Sequence, residues 1–449
     1  MADLFWPGEE RAGALMGDAA LLDAMVAVEQ AWLDALTTLT TPPNGASVPP
    51  NGASGSAEWG LARTQLGGLV GEADLEALAT GAEGGGNPVL GLVTLLRERS
   101  GNAWVHRGLT SQDVVDTALI LVAREAADAV RRELDAQVEA LASLAEAHRD
   151  TVMAGRTLGQ HAVPITFGLK AAGWLTGLLD ARDALAALRW PVQLGGAAGT
   201  LAAATVLTRD PDRSDADDAW DLVRRTAATL GLEARPPWHT SRRPITAIGD
   251  ALVTATDAWG RVAADVITLS RTEIGELAEP AGEGRGGSST MPHKRNPVLS
   301  VLLRRAAITA PPLASTLHLA AALSDDERPS GGWHAEWATL RDLGRRTVVA
   351  ARQATELLAG LEVNAARMAA TVEAGRDDLL AEQESVVAFA GAGTRPQAGA
   401  EAEVDGDYLG ATGHLIDEVL ERVAATTAGE RATSDPDSTG SPAVTERSR

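Results

Sequence analysis

The residues best suited to chemistry are concentrated at 287–297, which reads Gly-Ser-Ser-Thr-Met-Pro-His-Lys-Arg-Asn-Pro. This stretch offers a hydroxyl at Ser288, a compact cation at Lys294 and an amide at Asn296. The preceding segment, 280–286, is rich in glycine. Such a segment can fold over a ligand and turn backbone N–H groups toward an anion. The pattern predicts a mobile active-site lid.

Two further polar clusters, at 106–113 and 155–164, each precede an apolar helical pattern. A helix N-terminus that carries hydroxyls and an arginine can bind a carboxylate, although Ser and Asp at such positions are also ordinary N-caps. We take as substrate-binding candidates the following residues: Thr110, Ser111, Arg156, Gln160 and Asn296.

Histidines near these clusters allow two interpretations. His161 is either a structural hydrogen-bond donor or a catalytic residue, and His106, His239 and Arg242 are weaker substrate-binding candidates. The chain has no cysteine, which excludes disulfides, thiol catalysis and Cys-ligated metal sites. No His and carboxylate set shows convincing metal spacing, so we expect neither a metal nor a cofactor.

Composition narrows the possible partners. The 449 residues carry a formal charge of −22, which argues against a general affinity for nucleic acid. We find no signal-peptide pattern and no apolar run of membrane-spanning length, so we expect a cytoplasmic protein without membrane association. Only Lys170 and Lys294 are lysines; a lysine kept in the loop fits a position that needs a compact cation.

Helical periodicity dominates the chain. Apolar residues alternate in steps of three and four at 245, 248, 252, 255, 259, 262, 266 and 269, with Pro244 in the first turn. Similar segments run at about 113–148, 164–189, 297–323 and 334–361. Five such helices predict an all-α fold with an elongated central five-helix bundle that oligomerises to bury its faces.

Domain boundaries are expected near 105 and 360. They give an N-terminal helical domain at 1–105, the bundle at 106–360 and a C-terminal helical domain at 361–425. A repeated Pro-Pro-Asn-Gly-Ala-Ser at 42–54 and a polar tail at 426–449 read as disordered.

The 287–297 loop resembles the GSSxMPxKxNP signature of the fumarase/aspartase superfamily, whose members add or eliminate a group β to a carboxylate. Further blocks resemble the bacterial 3-carboxy-cis,cis-muconate cycloisomerases: 86–89, 106–118, 155–157, 164–174, 195–200, 237–240 and 331–337. The resemblance implies an all-α homotetramer with active sites shared between subunits. It also implies a small tricarboxylate substrate, which is converted to 4-carboxymuconolactone in protocatechuate catabolism by the β-ketoadipate route.

The most informative departure from the superfamily pattern is Leu158. Lyases that expel an amine or hydroxide usually carry a histidine there as general acid, because those leaving groups need a proton. A carboxylate leaves without one, since the pKa of its conjugate acid is about 4. Leu158 therefore favours the cycloisomerase over the adenylosuccinate and argininosuccinate lyases, while a non-catalytic structural tetramer stays a further alternative.

The resemblance also suggests roles. Ser288 would protonate the α-carbon, or remove that proton in reverse, and Lys294 and Asn296 would stabilise the enolate-like charge. His161 is a candidate replacement for the missing histidine.

Overall fold

A computed structural model describes residues 3–40, 64–208, 215–282, 284–287, 290–291, 294–390 and 408–434. In these ranges the chain is mostly helical, which confirms the all-α prediction. None of the described helices is both long and apolar enough to cross a membrane.

The elements are numbered in chain order. The helices are α1 (Asp18–Thr40), α2 (Leu75–Gly85), α3 (Val89–Ser100), α4 (Ser111–Ala147), α5 (Phe167–Ala186), α6 (Ala202–Leu207), α7 (Asp215–Leu230), α8 (Arg243–Leu269), α9 (Val298–Ala322), α10 (Gly332–Ala359), α11 (Ala365–Ala374), α12 (Arg376–Ala390) and α13 (Thr412–Ser434). The strands are β1 (Val152–Thr157), β2 (Gln160–Thr166), β3 (Leu277–Ala278) and β4 (Glu362–Val363), and 3-10 turns occur at Glu9–Ala12 and Glu72–Asp74. The strands form two antiparallel pairs, β1 with β2 and β3 with β4.

Helix α8 follows the predicted apolar stripe. All eight stripe residues, from Ile245 to Leu269, are buried, and Pro244 lies in the first turn of the helix. A 27-residue helix that buries one continuous face must pack along its whole length.

The chain forms two compact units. Unit 1 contains Met1–Arg132, Ala184–Thr256 and Ala306–Arg352; unit 2 contains Glu133–Asp183, Asp257–Arg305 and Gln353–Arg449. The five long helices α4, α5, α8, α9 and α10 each contribute residues to both units. The three-domain division at 105 and 360 stays a prediction.

Buried polar contacts connect the long helices within unit 2. Gln137 of α4 accepts from the Trp259 indole of α8 at 2.7 Å and donates to Thr355 of α10 at 2.9 Å. The Trp174 indole of α5 donates to Asp265 of α8 at 2.9 Å. Such bonds fix the register of neighbouring helices, because a slip would leave buried polar groups unpaired.

One predicted helix begins later than expected. The segment expected from about 164 starts its helix at Phe167, because residues 152–166 form the β1–β2 hairpin. The second polar cluster therefore lies on a hairpin rather than just before a helix. β-Branched residues in β2 and a glycine in the turn favour this structure.

Two predicted disordered segments are only partly covered. Residues 42–54 lie outside the described residues. The tail was expected from 426, but α13 continues to Ser434; residues 435–449 lie outside the described part.

Buried charges hold the loops of unit 1. Arg242 is fully buried and contacts both Asp116, at 2.7 and 3.0 Å, and Glu336, at 3.1 Å. Removing one member of such a group leaves the others charged and unpaired in the interior.

We expect Arg242→Ala to lower the free energy of unfolding by about 3–5 kcal/mol, because Asp116 and Glu336 would lose their shared cation. Arg243→Ala is the matched control, since Arg243 is exposed and pairs with exposed Asp250. It should change the free energy by less than about 0.5 kcal/mol. Urea unfolding of both variants measures this, and equal effects would contradict the assignment.

Candidate active site

The N-terminus of α4, in unit 1, presents two hydroxyls. Thr110 precedes the helix, and its N–H donates to Asp113 at 3.0 Å, one half of a capping box. The Thr110 hydroxyl accepts from the exposed Arg328 guanidinium. Within the described residues, no hydrogen bond is formed by the Ser111 hydroxyl. Both predicted residues are thus placed where a carboxylate can bind at a helix N-terminus.

The loop that carries Arg328 is itself closed by hydrogen bonds. Asp325 accepts from the Ser330 N–H and hydroxyl, both at 2.8 Å. These donors hold the pKa of Asp325 below its usual value. A charged, fully bonded carboxylate therefore shapes this loop.

Asp113 connects α4 to the glycine turn at 195–196. It accepts from the N–H groups of Gly195 and Gly196, both at 2.9 Å, and from the Gln193 amide at 3.2 Å. Gly195 cannot be replaced freely, because a Cβ there would lie 2.6 Å from the His239 ring. This packing explains why glycine is needed in the Gly-Gly sequence of the turn.

His239 and Arg242, both predicted to bind substrate, lie in the interior. The Nε2 atom of His239 is 3.3 Å from Asp113 without hydrogen-bond geometry. Burial alone lowers the pKa of Arg242, but Asp116 and Glu336 outweigh it and the pKa is raised. Burial raises the pKa of Glu336. Arg242 opposes this rise, and the negative charge of Asp116 adds to it. His239 and Arg242 therefore support the N-terminal turn of α4 from the protein interior.

In unit 2, the β1–β2 hairpin separates the predicted residues between its two faces. Arg156 is opposite His161, and Thr157 is opposite Gln160. Directly opposed residues of an antiparallel pair point to the same face, and successive residues to opposite faces. Gln160 and His161 therefore project in opposite directions, which the sequence alone did not reveal.

The His161 face lines a cleft of about 780 Å³. Arg156 also borders this cleft, but its guanidinium is held by the fully buried Glu276 at 2.7 and 3.0 Å. Arg271 lines the cleft as well, and its side chain makes no ion pair with any described residue. Arg156 is thus already neutralised, whereas Arg271 is a cation that a ligand could reach.

Hydrogen bonds hold the loop at 287–297, in unit 2, near its ends. Glu279 accepts from the backbone of Leu299 and Ser300 at the start of α9, at 3.0 and 2.7 Å. Asn296 donates both its backbone N–H, at 2.9 Å, and its side-chain amide, at 3.2 Å, to the Gly286 carbonyl. The Asn296 amide therefore closes the loop in this structure.

Of the two loop residues predicted to be catalytic, only Lys294 lies among the described residues. The Lys294 side chain is exposed and forms no ion pair with the described residues, so its ammonium is available to a ligand. Ser288 lies outside the described residues, and its catalytic role stays a prediction.

Several supporting residues were missed by sequence reasoning: Glu29, Glu276, Glu279 and Arg328. No local pattern identifies them, because each acts on a residue far away in the chain. Among the described residues, no group of three or more His, Asp or Glu side chains is placed to hold a metal ion. The expectation of metal-free activity stays a prediction, testable by exhaustive chelation.

The mostly helical fold, the loop motif at 287–297 and the hydroxyls at the α4 N-terminus are the features expected of a lyase of the fumarase/aspartase type. Residues 74–311, more than half of the chain, match the family model described as Lyase. The chain belongs to this lyase family.

Similar proteins with different named activities include the following two. The chain is 45% identical over 383 residues to nitrosuccinate lyase of Streptomyces davaonensis, which covers 83% of this chain and 77% of the relative. It is 42% identical over 319 residues to 3-carboxy-cis,cis-muconate cycloisomerase of Bradyrhizobium diazoefficiens, which covers 69% and 68%.

Solved structures agree on the fold. The 3-carboxy-cis,cis-muconate lactonizing enzyme of Pseudomonas putida superimposes with a TM-score of 0.70 at 31% identity, covering 93% of this chain and 86% of that one. A fumarate lyase of Mesorhizobium gives a TM-score of 0.74 at 28% identity, covering 92% and 97%.

We expect Lys294→Arg to lower kcat/KM by roughly 10²-fold, because a bidentate guanidinium does not reproduce a compact ammonium, and misplaced charge costs this much. Lys170→Arg is the matched control, since the only other lysine pairs with Asp265 at 3.5 Å, away from the loop. Steady-state kinetics of both variants decide. Wild-type kinetics for Lys294→Arg would show that any cation suffices.

Proposed function

We propose that the protein is a cycloisomerase that converts 3-carboxy-cis,cis-muconate to 4-carboxymuconolactone. In this reaction a carboxylate of the substrate adds across a conjugated double bond of the same molecule, and a proton is added at the α-carbon. The motif blocks, the relatives at 40–42% identity and the lactonizing-enzyme neighbour support the assignment.

The observation that carries the proposal against the lyases that expel an amine or hydroxide is Leu158 at the hairpin turn. Thr157 and Gln160 close a two-residue turn in which Leu158 and Gly159 have φ of 51° and 82°. The Leu158 side chain is fully exposed and has no proton to donate. A reaction that relies on this turn therefore needs a leaving group that departs as a stable anion.

The role of His161 as a replacement acid stays a prediction. His161 faces the cleft, whereas Gln160 and Thr157 face the other way. In the cycloisomerase reaction the departing group of the reverse step is a carboxylate, and the pKa of its conjugate acid, about 4, makes protonation unnecessary.

The remaining side chains are assigned roles from the charges and donors that they carry. In the proposed reaction, Thr110, Ser111 and Arg328 bind a substrate carboxylate at the α4 N-terminus. Lys294 stabilises the negative charge that gathers on the carboxylate beside the α-carbon, and such preorganised charge is commonly the largest catalytic contribution. Ser288 transfers the proton at the α-carbon.

We further propose a homotetramer with shared active sites. An apolar, solvent-exposed stripe on α9 supports self-association: Val301, Ile308 and Leu319 are 53%, 65% and 60% exposed. Their spacings of 7 and 11 residues place them on one helix face. A second copy of the chain can cover this face.

A second candidate is elimination of nitrite from nitrosuccinate, which would leave fumarate. The 45% identity over 383 residues to nitrosuccinate lyase favours it. The Leu158 argument applies equally, because nitrite is a stable anion that leaves without prior protonation. Both candidates place a carboxylate beside the carbon that bears the developing charge.

Parallel assays separate the candidates. Ring closure removes the conjugated-diene absorbance of 3-carboxy-cis,cis-muconate, and nitrosuccinate cleavage releases nitrite that a colorimetric reagent detects. We expect a kcat/KM of about 10⁴ M⁻¹s⁻¹ or more for the muconate, and at least tenfold less for nitrosuccinate. The reverse ranking would replace the first proposal by the second. Activity on adenylosuccinate or argininosuccinate would overturn the leaving-group argument.

Leu158→Asn tests whether the turn residue acts chemically. Asn tolerates φ > 0 better than Leu, so we expect up to about 1 kcal/mol of added stability. Turnover should change by less than about tenfold, without a new pH dependence near pH 6–7.

His161→Ala is the companion variant. If His161 were the acid, its loss would abolish an acidic limb of the pH profile and reduce turnover by orders of magnitude. We expect neither effect.

A further inference from the structure

We propose that Glu29 is a positioning residue that holds His106 so that the Nε2 atom of His106 contacts the substrate carboxylate beside Thr110 and Ser111. Glu29 lies on α1 and His106 lies 77 residues later. Both belong to unit 1. The role in catalysis rests on the proposed function, whereas the positioning itself is independent of the reaction.

The contact between the two side chains is short and largely buried. Glu29 Oε1 is 2.6 Å from His106 Nδ1, the Glu29 side chain is fully buried, and the His106 side chain is 16% exposed. The other oxygen, Oε2, has no hydrogen-bond partner among the described residues. A buried carboxylate requires a donor, so Nδ1 carries the proton of this bond.

The backbone around His106 is fixed on both sides. The Arg97 guanidinium donates to the Val105 carbonyl at 3.1 and 2.8 Å, and the Trp32 indole donates to the Arg107 carbonyl at 2.8 Å. Between these anchors His106 has φ of 66°. This left-handed conformation is unfavourable for a non-glycine residue by about 1–2 kcal/mol.

Strained backbone that is held from both sides is typical of residues with a functional orientation. An ion pair that only stabilised the fold would not require a left-handed histidine. The strain is therefore best explained by the direction that it gives to the imidazole ring.

The chemistry follows from the two ring nitrogens. With Nδ1–H donated to Glu29, only Nε2 is open to a ligand. The Glu29 carboxylate contacts the ring directly, and Arg97 from α3 interacts with the charges of both Glu29 and Arg107; burial, followed by the Arg107 charge, lowers the pKa of Arg97. A ring protonated at both nitrogens donates Nδ1–H to Glu29 and Nε2–H to a ligand carboxylate. The same arrangement orients histidines in catalytic triads.

The ligand class is an anion with a planar carboxylate. Four and five residues after His106, Thr110 and Ser111 carry hydroxyls at the start of the 37-residue helix α4, whose N-terminus favours negative charge. His106 thus extends this carboxylate site by one directed donor.

The test compares Glu29→Gln with Glu9→Gln. Glu9 is also a mostly buried glutamate of unit 1 that pairs with an arginine, Arg345, and it does not contact the His106 loop. Protein labelled with ¹⁵N at histidine reports the tautomer of each ring, and the His106 signal is assigned by its loss in His106→Asn. Asn is chosen because it tolerates φ > 0.

We expect the neutral His106 ring of the wild type and of Glu9→Gln to carry its proton on Nδ1. In Glu29→Gln this preference should be lost, because a glutamine amide can either accept or donate. The kcat/KM of Glu29→Gln and of His106→Asn should each fall by roughly 10²-fold, and that of Glu9→Gln by less than twofold.

The outcomes are distinguishable. A neutral ring that carries its proton on Nε2 in the wild type overturns the positioning role, whatever the substrate. A wild-type kcat/KM in Glu29→Gln overturns the catalytic consequence. If neither the muconate nor nitrosuccinate is converted, the proposed function fails, while the tautomer measurement still decides the positioning role. Should Glu29→Gln not fold, the wild-type tautomer and the kinetics of His106→Asn decide.

Discussion

Two carboxylates one turn apart on α4, Asp113 and Asp116, determine how the loops of unit 1 are arranged. Both are fully buried, and a buried charge is costly unless hydrogen-bond donors surround it. Asp113 accepts hydrogen bonds from the N–H groups of Thr110 and of the glycine turn at 195–196. Asp116 accepts hydrogen bonds from the Arg242 guanidinium and, at 2.8 Å, from the Trp333 indole. Because each buried carboxylate needs these donors, the residues that carry the partly exposed Thr110 and Ser111 hydroxyls are held in one arrangement.

The same principle recurs in unit 2. Glu276 neutralises Arg156, and Glu279, three residues later, holds the start of α9. One buried and one partly buried acid thus fix the scaffold, while cations such as Lys294 and Arg271 stay available. In a chain with a net charge of −22, an anionic substrate is attracted only where such local cations outweigh the acidic surroundings.

The hairpin explains how one fold can serve reactions with different leaving groups. Its turn can carry a side chain that donates a proton, or one that does not, without changing the strands. Leu158 cannot donate a proton, and both of the proposed reactions involve a group that leaves as a stable anion. The fold sets where charge is stabilised, and the turn residue limits which bonds are broken.

The sequence by itself determined the helices and the family. The apolar period of α8 predicted its buried face because helix geometry depends only on local spacing, and the loop at 287–297 was recognisable as a contiguous motif. The start of α5 was misplaced because a hairpin and a helix compete for the same short apolar run.

Tertiary structure decided which charged residues are free and which are paired. Arg242 and Arg243 are neighbours of the same type, yet one is buried between two acids and the other is exposed. Glu29 and His106 are 77 residues apart, and Gln160 and His161 are adjacent but face opposite ways. Burial and ion pairing depend on distant residues that meet only in the folded chain, so no local pattern contains them.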